Sequence, residues 1–129
     1  MILKIKPDLQ KSESLKKMAQ ITLERLRKTN IEEYPSNTLL DYYDIIHQLL
    51  DAILLRKGVK IKGDGAHYEI IEHAALQKII SEQTRLFLQQ MREYRNRISY
   101  EGFMVHQNYI TLNHGQILKI IEQLFEFSG

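Results

Sequence analysis

The stretch NTLLDYYDIIHQLLDAILLRK, residues 37–57, constrains the fold more than any other part of the chain. Leu39, Tyr43, Ile46, Leu50, Ile53 and Leu54 recur at helical spacing, and further apolar residues widen their stripe beyond a third of the circumference. A helix so broadly apolar must be covered by protein on several sides, so it belongs at the centre of a core. Ser36, following Pro35, is placed to cap its N-terminus and Gly58 to end it.

The same periodicity predicts a first helix over about 9–28, with Leu15, Met18, Thr22 and Leu26 inward. A short third helix over about 66–75 leads into a fourth over about 76–99, which carries Leu76, Ile80, Phe87, Met91, Tyr94 and Ile98. A last helix over about 113–127 turns Ile117, Ile120, Ile121, Leu124 and Phe125 inward. Between them, GVKIKGDGA reads as a solvated loop and FMVHQNYITLN as irregular or extended chain. Only two prolines and six glycines interrupt these patterns. The expected fold is all-α: one domain over 1–129, an antiparallel up-and-down bundle of four main helices plus one short helix.

Several function classes are excluded by what the chain lacks. It has no cysteine, which removes disulfides, thiolate nucleophiles and cysteine metal sites together. No stretch approaches 18 continuous apolar residues and the opening MILKIKPD has no signal-like apolar run, so the expectation is a cytoplasmic protein without a membrane span. The histidines do not fall at metal-ligand spacing: His73 follows Glu72 directly and Glu69 by four residues, His106 and His114 are eight apart, and no H-E-x-x-H occurs. No metal is expected. The glycines of GVKIKGDG lack the order of a phosphate-binding loop, although Lys60 and Lys62 are point charges within reach of one. With 18 Lys and Arg against 16 Asp and Glu, the net charge of +2 is too small for a general polyanion binder. Any affinity for nucleic acid must come from a local patch.

Such a patch exists in EYRNRISYEGF, residues 93–103, where Arg92, Arg95, Asn96 and Arg97 crowd the end of the fourth helix before Tyr100, Glu101 and Gly102. With 91, 94 and 98 inward, Arg95 stands at the edge of the apolar stripe, and Arg92, Asn96 and Ser99 lie farther round. Cations near a helix C-terminus gain about 0.3–1 kcal/mol from the dipole, so on composition alone a well-made terminus accounts for the cluster more readily than a site does.

REYRNRISYEG, late in the penultimate long helix of a small bundle, resembles the signature region of HEPN domains; the GVKIKGDGAH loop and the YITLNHGQILKIIEQL ending are similar to those of small prokaryotic members. The family motif is an Arg, a polar residue, and a His reached after four to six residues; Arg95 and Asn96 match its first half. Tyr100 stands where the histidine would fall. The resemblance implies a domain that binds RNA or a nucleotide through Arg92, Arg95, Asn96, Arg97 and Tyr100, with Arg95 and Tyr100 in the catalytic positions and no cofactor. It implies further a homodimer whose two motif segments face one another, and a nucleotidyltransferase partner in a toxin–antitoxin type pair. A tyrosine of ordinary pKa ≈ 10 is about a thousandfold short of ionised at pH 7, whereas a histidine of pKa ≈ 6.5 offers both forms. Three readings stay open: a binding domain with a degenerate motif, an active metal-independent endoribonuclease, and a structural dimer in which Arg95 closes an ion pair.

Overall fold

The computed structural model describes residues 1–127, so the last two positions of the expected 1–129 domain lie outside the described residues. The chain is mostly helical. Its elements in order are β1 (Ile2–Lys4), α1 (Leu9–Arg27), α2 (Pro35–Arg56), β2 (Val59–Ile61), α3 (Ala66–Leu76), α4 (Glu82–Glu101) and α5 (Gln107–Glu126). Among the described residues no helix is long and apolar enough to cross a membrane.

α2 is the centre, as its composition requires. Twelve of its 22 residues are buried, too many for one neighbour to cover, and α1, α3, α4 and α5 all pack against it. Every member of the expected stripe from Leu39 to Leu54 is in the core. At about 1.5–3 kcal/mol for each fully buried aliphatic or aromatic side chain, this helix alone supplies much of the drive to fold.

The helix begins earlier than expected. Pro35 occupies its first turn, where its missing N–H costs nothing, and Tyr34 is the cap residue. Ser36 is therefore not the N-cap; its hydroxyl accepts a hydrogen bond from the Val105 N–H at 2.9 Å and pins the chain between α4 and α5 to the start of α2.

α1 meets α2 through a face rotated from the one that large apolar residues suggest. Ser12, Ala19, Leu23 and Leu26 are buried, whereas Met18 is 47% exposed. Small residues at 12 and 19 let the two backbones approach, and the Ser12 hydroxyl donates to the Ala52 carbonyl at 2.7 Å.

The segment read as a solvated loop contains β2, which pairs antiparallel with β1 in the register Ile2 to Ile61, Leu3 to Lys60 and Lys4 to Val59. The N-terminal amine then ties down both neighbours of this ribbon, donating to the Lys62 carbonyl and to Glu69 Oε1, each at 2.9 Å.

Two helix boundaries also differ. α3 stops at Leu76, which is 75% exposed, and α4 starts only at Glu82; Lys78 adopts φ 59° between them, and Ser81 caps α4 by accepting from the Thr84 N–H. α5 starts six residues before the expected 113, with the His106 ring nitrogen Nδ1 accepting from the Asn108 N–H at 3.1 Å as its cap.

Gly58 closes α2 with φ +78°, and a Cβ built on it would lie 2.7 Å from the Ile5 carbonyl oxygen. That same stretch carries the Ile5 N–H to Gly58 carbonyl hydrogen bond at 2.8 Å. Gly58→Ala meets both a left-handed backbone and a backbone clash, so it should lower unfolding free energy by about 2 kcal/mol or more. Urea denaturation of the variant checks this; an unchanged midpoint would contradict the close approach.

Candidate anion-binding site

α4 is held to the core chiefly by Leu88 and Met91, its two buried residues. One turn beyond Met91 on the same face, Arg95 is drawn inward and half-buried, with Arg92 beside it facing α3. Arg95 leans over α2, its guanidinium carbon 5.9 Å from the centre of the Tyr43 ring, and its Nη1 donates to Asn96 Oδ1 at 3.3 Å. Arg92 lies 5.4 Å from the centre of the Tyr68 ring on α3 and donates through Nε to Gln89 Oε1 at 2.7 Å.

The polar contacts between α3 and α4 sort the charges. Arg85 binds Glu72 at 2.9 Å and also Glu82, and Gln89 donates to Glu72 Oε2 at 3.0 Å and to the Tyr68 carbonyl at 3.1 Å. Glu72 is thereby satisfied and held below the usual carboxylate range, first by Arg85 and then by Gln89. Arg25, Arg56 and Arg85 each sit against a carboxylate. Among the described residues neither Arg92 nor Arg95 forms an ion pair.

Beneath the two guanidiniums lies a group that the sequence reading did not single out. The Tyr43 hydroxyl is 3.1 Å from His67 Nδ1, and His67 stacks on His47 with ring centres 4.0 Å apart and planes 15° from parallel. Tyr43 and His47 come from successive turns of α2, and His67 from the first turn of α3. His47 Nε2 is buried with no hydrogen-bond partner. Burial, then His67, then Arg95 push the His47 pKa down to about 4, so its ring is neutral at pH 7. His67 is likewise shifted down by burial and by Arg95 and Arg92. Burial pushes the Tyr43 phenol up to about 12 against the opposing pull of Arg95 and Arg92.

The five residues singled out from sequence therefore divide. Arg92, Arg95 and Asn96 gather on the side of α4 toward α2 and α3. Arg97 instead covers the Phe103 ring at 3.9 Å, where Phe103, Tyr94 and Tyr109 pack the turn into α5. Tyr100 is 80% exposed and, five residues on, stands about 140° around the helix from Arg95. The helix terminus itself is completed by Gly102 at φ 68°, whose N–H donates to the Arg97 carbonyl. Among the described residues no group of three or more His, Asp or Glu is placed to hold a metal ion. A groove lined mainly by Leu23, Leu26, Tyr42, Leu118, Ile121 and Phe125 opens elsewhere, between α1, α2 and α5.

No family model, no curated protein and no solved structure matches this chain.

His47 links the site to stability. Its folded pKa of about 4 lies below the unfolded value of ≈ 6.5, so between them the unfolded chain binds more protons. This contribution is complete above about pH 6.5 and is lost as pH falls toward 4, by on the order of 3 kcal/mol. Asp44, whose carboxyl burial pushes up, acts in the opposite sense, so wild type and variant must be compared. His47→Gln keeps a polar side chain without the titration, and urea unfolding between about pH 7.5 and 4.5 should show a shallower decline than wild type. Parallel curves for the two proteins would contradict a His47 held neutral by its surroundings.

Proposed function

We propose that the chain is a HEPN-like helical domain that binds RNA or a nucleotide through phosphate, with Arg92 and Arg95 as the anion ligands and Asn96 orienting Arg95. The observation that carries this reading is the pair of half-buried guanidiniums that form no ion pair among the described residues, although Asp44 lies toward Arg95, while neighbouring Arg85 holds two carboxylates. An inward arginine without an ion pair keeps its donors for an external anion, and its planar fork suits phosphate. The ion-pair alternative, with Arg95 closing on a glutamate of a neighbouring helix, draws no support from these contacts. The exposure of Tyr100 and its angle from Arg95 favour binding over cleavage by that pair.

In the same reading α1, α2, α4 and α5 form the antiparallel up-and-down bundle and α3 is the short addition. Two copies associate about a twofold axis near the α4–α5 connection, where Tyr100, Met104 and Leu112 are each 80% exposed. A nucleotidyltransferase is the further protein partner, in a toxin–antitoxin type pair.

Arg95→Ala should weaken binding of a short single-stranded RNA or a nucleotide by about 1–3 kcal/mol in a fluorescence or calorimetric titration, with the melting temperature nearly unchanged. Lower thermal stability with unaltered affinity would identify a helix-terminus role instead. Light scattering at micromolar concentration should give twice the chain mass of 15.3 kDa, and a purely monomeric species would refute the dimer.

A further inference from the structure

We propose that the Tyr43–His67–His47 stack and the Arg92–Arg95 pair form one phosphate-binding site that takes up a proton together with its ligand, and that the ligand group is a phosphate monoester. This rests on the arginine pair of the function proposed above and adds to it the imidazoles, the protonation step and the ligand class.

The geometry provides for both protonation states of His67. The Tyr43 phenol, 3.1 Å from Nδ1, donates to the neutral ring or, after rotation of the hydroxyl, accepts from the protonated one. No hydrogen bond is lost when the proton arrives, and Nε2 is left for a ligand. The stack holds one charge only, because two imidazoliums with centres 4.0 Å apart repel strongly in a partly buried setting. His47 is the more deeply placed of the two and stays neutral, which leaves the charge to His67.

What opposes that charge is burial together with the two guanidiniums. From α4 the charges of Arg92 and Arg95 act on His67; from α2, Tyr43 stacks on it and is within hydrogen-bond distance, and the carboxylate of Asp44 acts on Arg95. On α3 itself Glu69 is held by the N-terminal amine and Glu72 by Arg85. On β2, Lys60 lies toward Lys11 and Asp51. The field at His67 is therefore positive and disfavours the imidazolium. An anion seated between the arginines reverses its sign and supplies an acceptor for Nε2, so binding draws a proton onto His67.

Two guanidiniums and one imidazolium present three positive charges around one position. A phosphate monoester, largely dianionic above its second pKa of ≈ 6, balances more of that charge than a monoanionic diester and forms a stronger proton-drawing partner.

The test is isothermal titration of the full chain with adenosine 5′-monophosphate at pH 7, repeated in buffers of different ionisation enthalpy and without phosphate. Wild type should take up a proton, most of one per site, and its affinity should rise about fivefold or more from pH 8 to pH 6.5. His67→Gln should bind without that uptake and without the rise. Adenosine 3′,5′-cyclic monophosphate, a diester, should bind more weakly with less uptake. The His67 imidazole resonance of wild type should titrate at least one pH unit higher with the ligand than without it, which decides the matter should His67→Gln not fold. Arg95-dependent binding without proton uptake, uptake that survives in His67→Gln, or an unmoved His67 midpoint would overturn this inference and leave the phosphate-binding reading intact. Equal binding and uptake with the cyclic diester would overturn the monoester assignment. Affinity that Arg95→Ala leaves unaltered, or no binding at all, would overturn both.

Discussion

Everything in this molecule is referred to the burial of α2. With 12 of its 22 residues in the core, the helix cannot be stable unless α1, α3, α4 and α5 close around it, and the positions of those helices follow from which parts of its surface each covers. The site is a consequence of that closure. Tyr43 and His47 point from α2 toward the gap that α3 and α4 fill, so packing the apolar stripe brings the first turn of α3 and the middle of α4 against two polar aromatic rings. A helix that was merely amphipathic would have left those rings in water, where neither their pKa values nor their stacking would be perturbed.

The fold was legible where large apolar residues repeat and illegible where structure depends on small or single groups. The α2 stripe and the inner face of α5 from Ile117 to Leu124 could be read directly, because aliphatic burial is what periodicity detects. The α1 face was misread because Ser12 and Ala19 contribute by closeness of approach and one hydrogen bond, which an apolar count does not weigh. The break between α3 and α4 has no glycine or proline to mark it; it rests on Lys78 at φ 59° and the Ser81 cap. The start of α5 was hidden behind a histidine cap, an unusual choice beside Ser, Thr, Asp or Asn. The β1–β2 pairing joins residues some sixty positions apart, and three-residue strands carry too little pattern to announce it.

The site was legible by half for a similar reason. Arginines close in sequence can be seen as a cluster, but a helix spreads neighbours around its circumference, and Arg97 and Tyr100 leave Arg95 by that rotation alone. Tyr43, His47 and His67 carried a weaker signal. Tyr43 was counted as core, which it also is, and a histidine within an apolar helical face is ordinarily just a packed side chain. Only the meeting of α2 with α3 shows that the half-buried ring of His47 is covered by a second imidazole and has no partner for its buried Nε2. A buried polar atom left unsatisfied costs about 1–3 kcal/mol, and departures from local consistency of this size concentrate where a chain binds something.

The net charge of +2, too small for a general polyanion binder, is no obstacle to a local anion site, because what counts is which cations the fold neutralises internally. Glu72 lies within reach of α4 and would quench any arginine opposite it. The chain instead places Arg85 there, doubles its hold with Glu82, and interposes Gln89 as a neutral link before Arg92. Negative charge on the α3–α4 seam is thus consumed one turn before the site begins. Arg92 and Arg95 lie against aromatic faces and a neutral imidazole stack, which tolerate a cation without pairing with it, and Asp44 toward Arg95 forms no ion pair. That Arg92 meets an amide and not a carboxylate follows from this ordering of carboxylate, amide and guanidinium across the α3–α4 seam, and exchanging Gln89 and Glu72 in space would set a carboxylate against Arg92 without altering the composition of the chain.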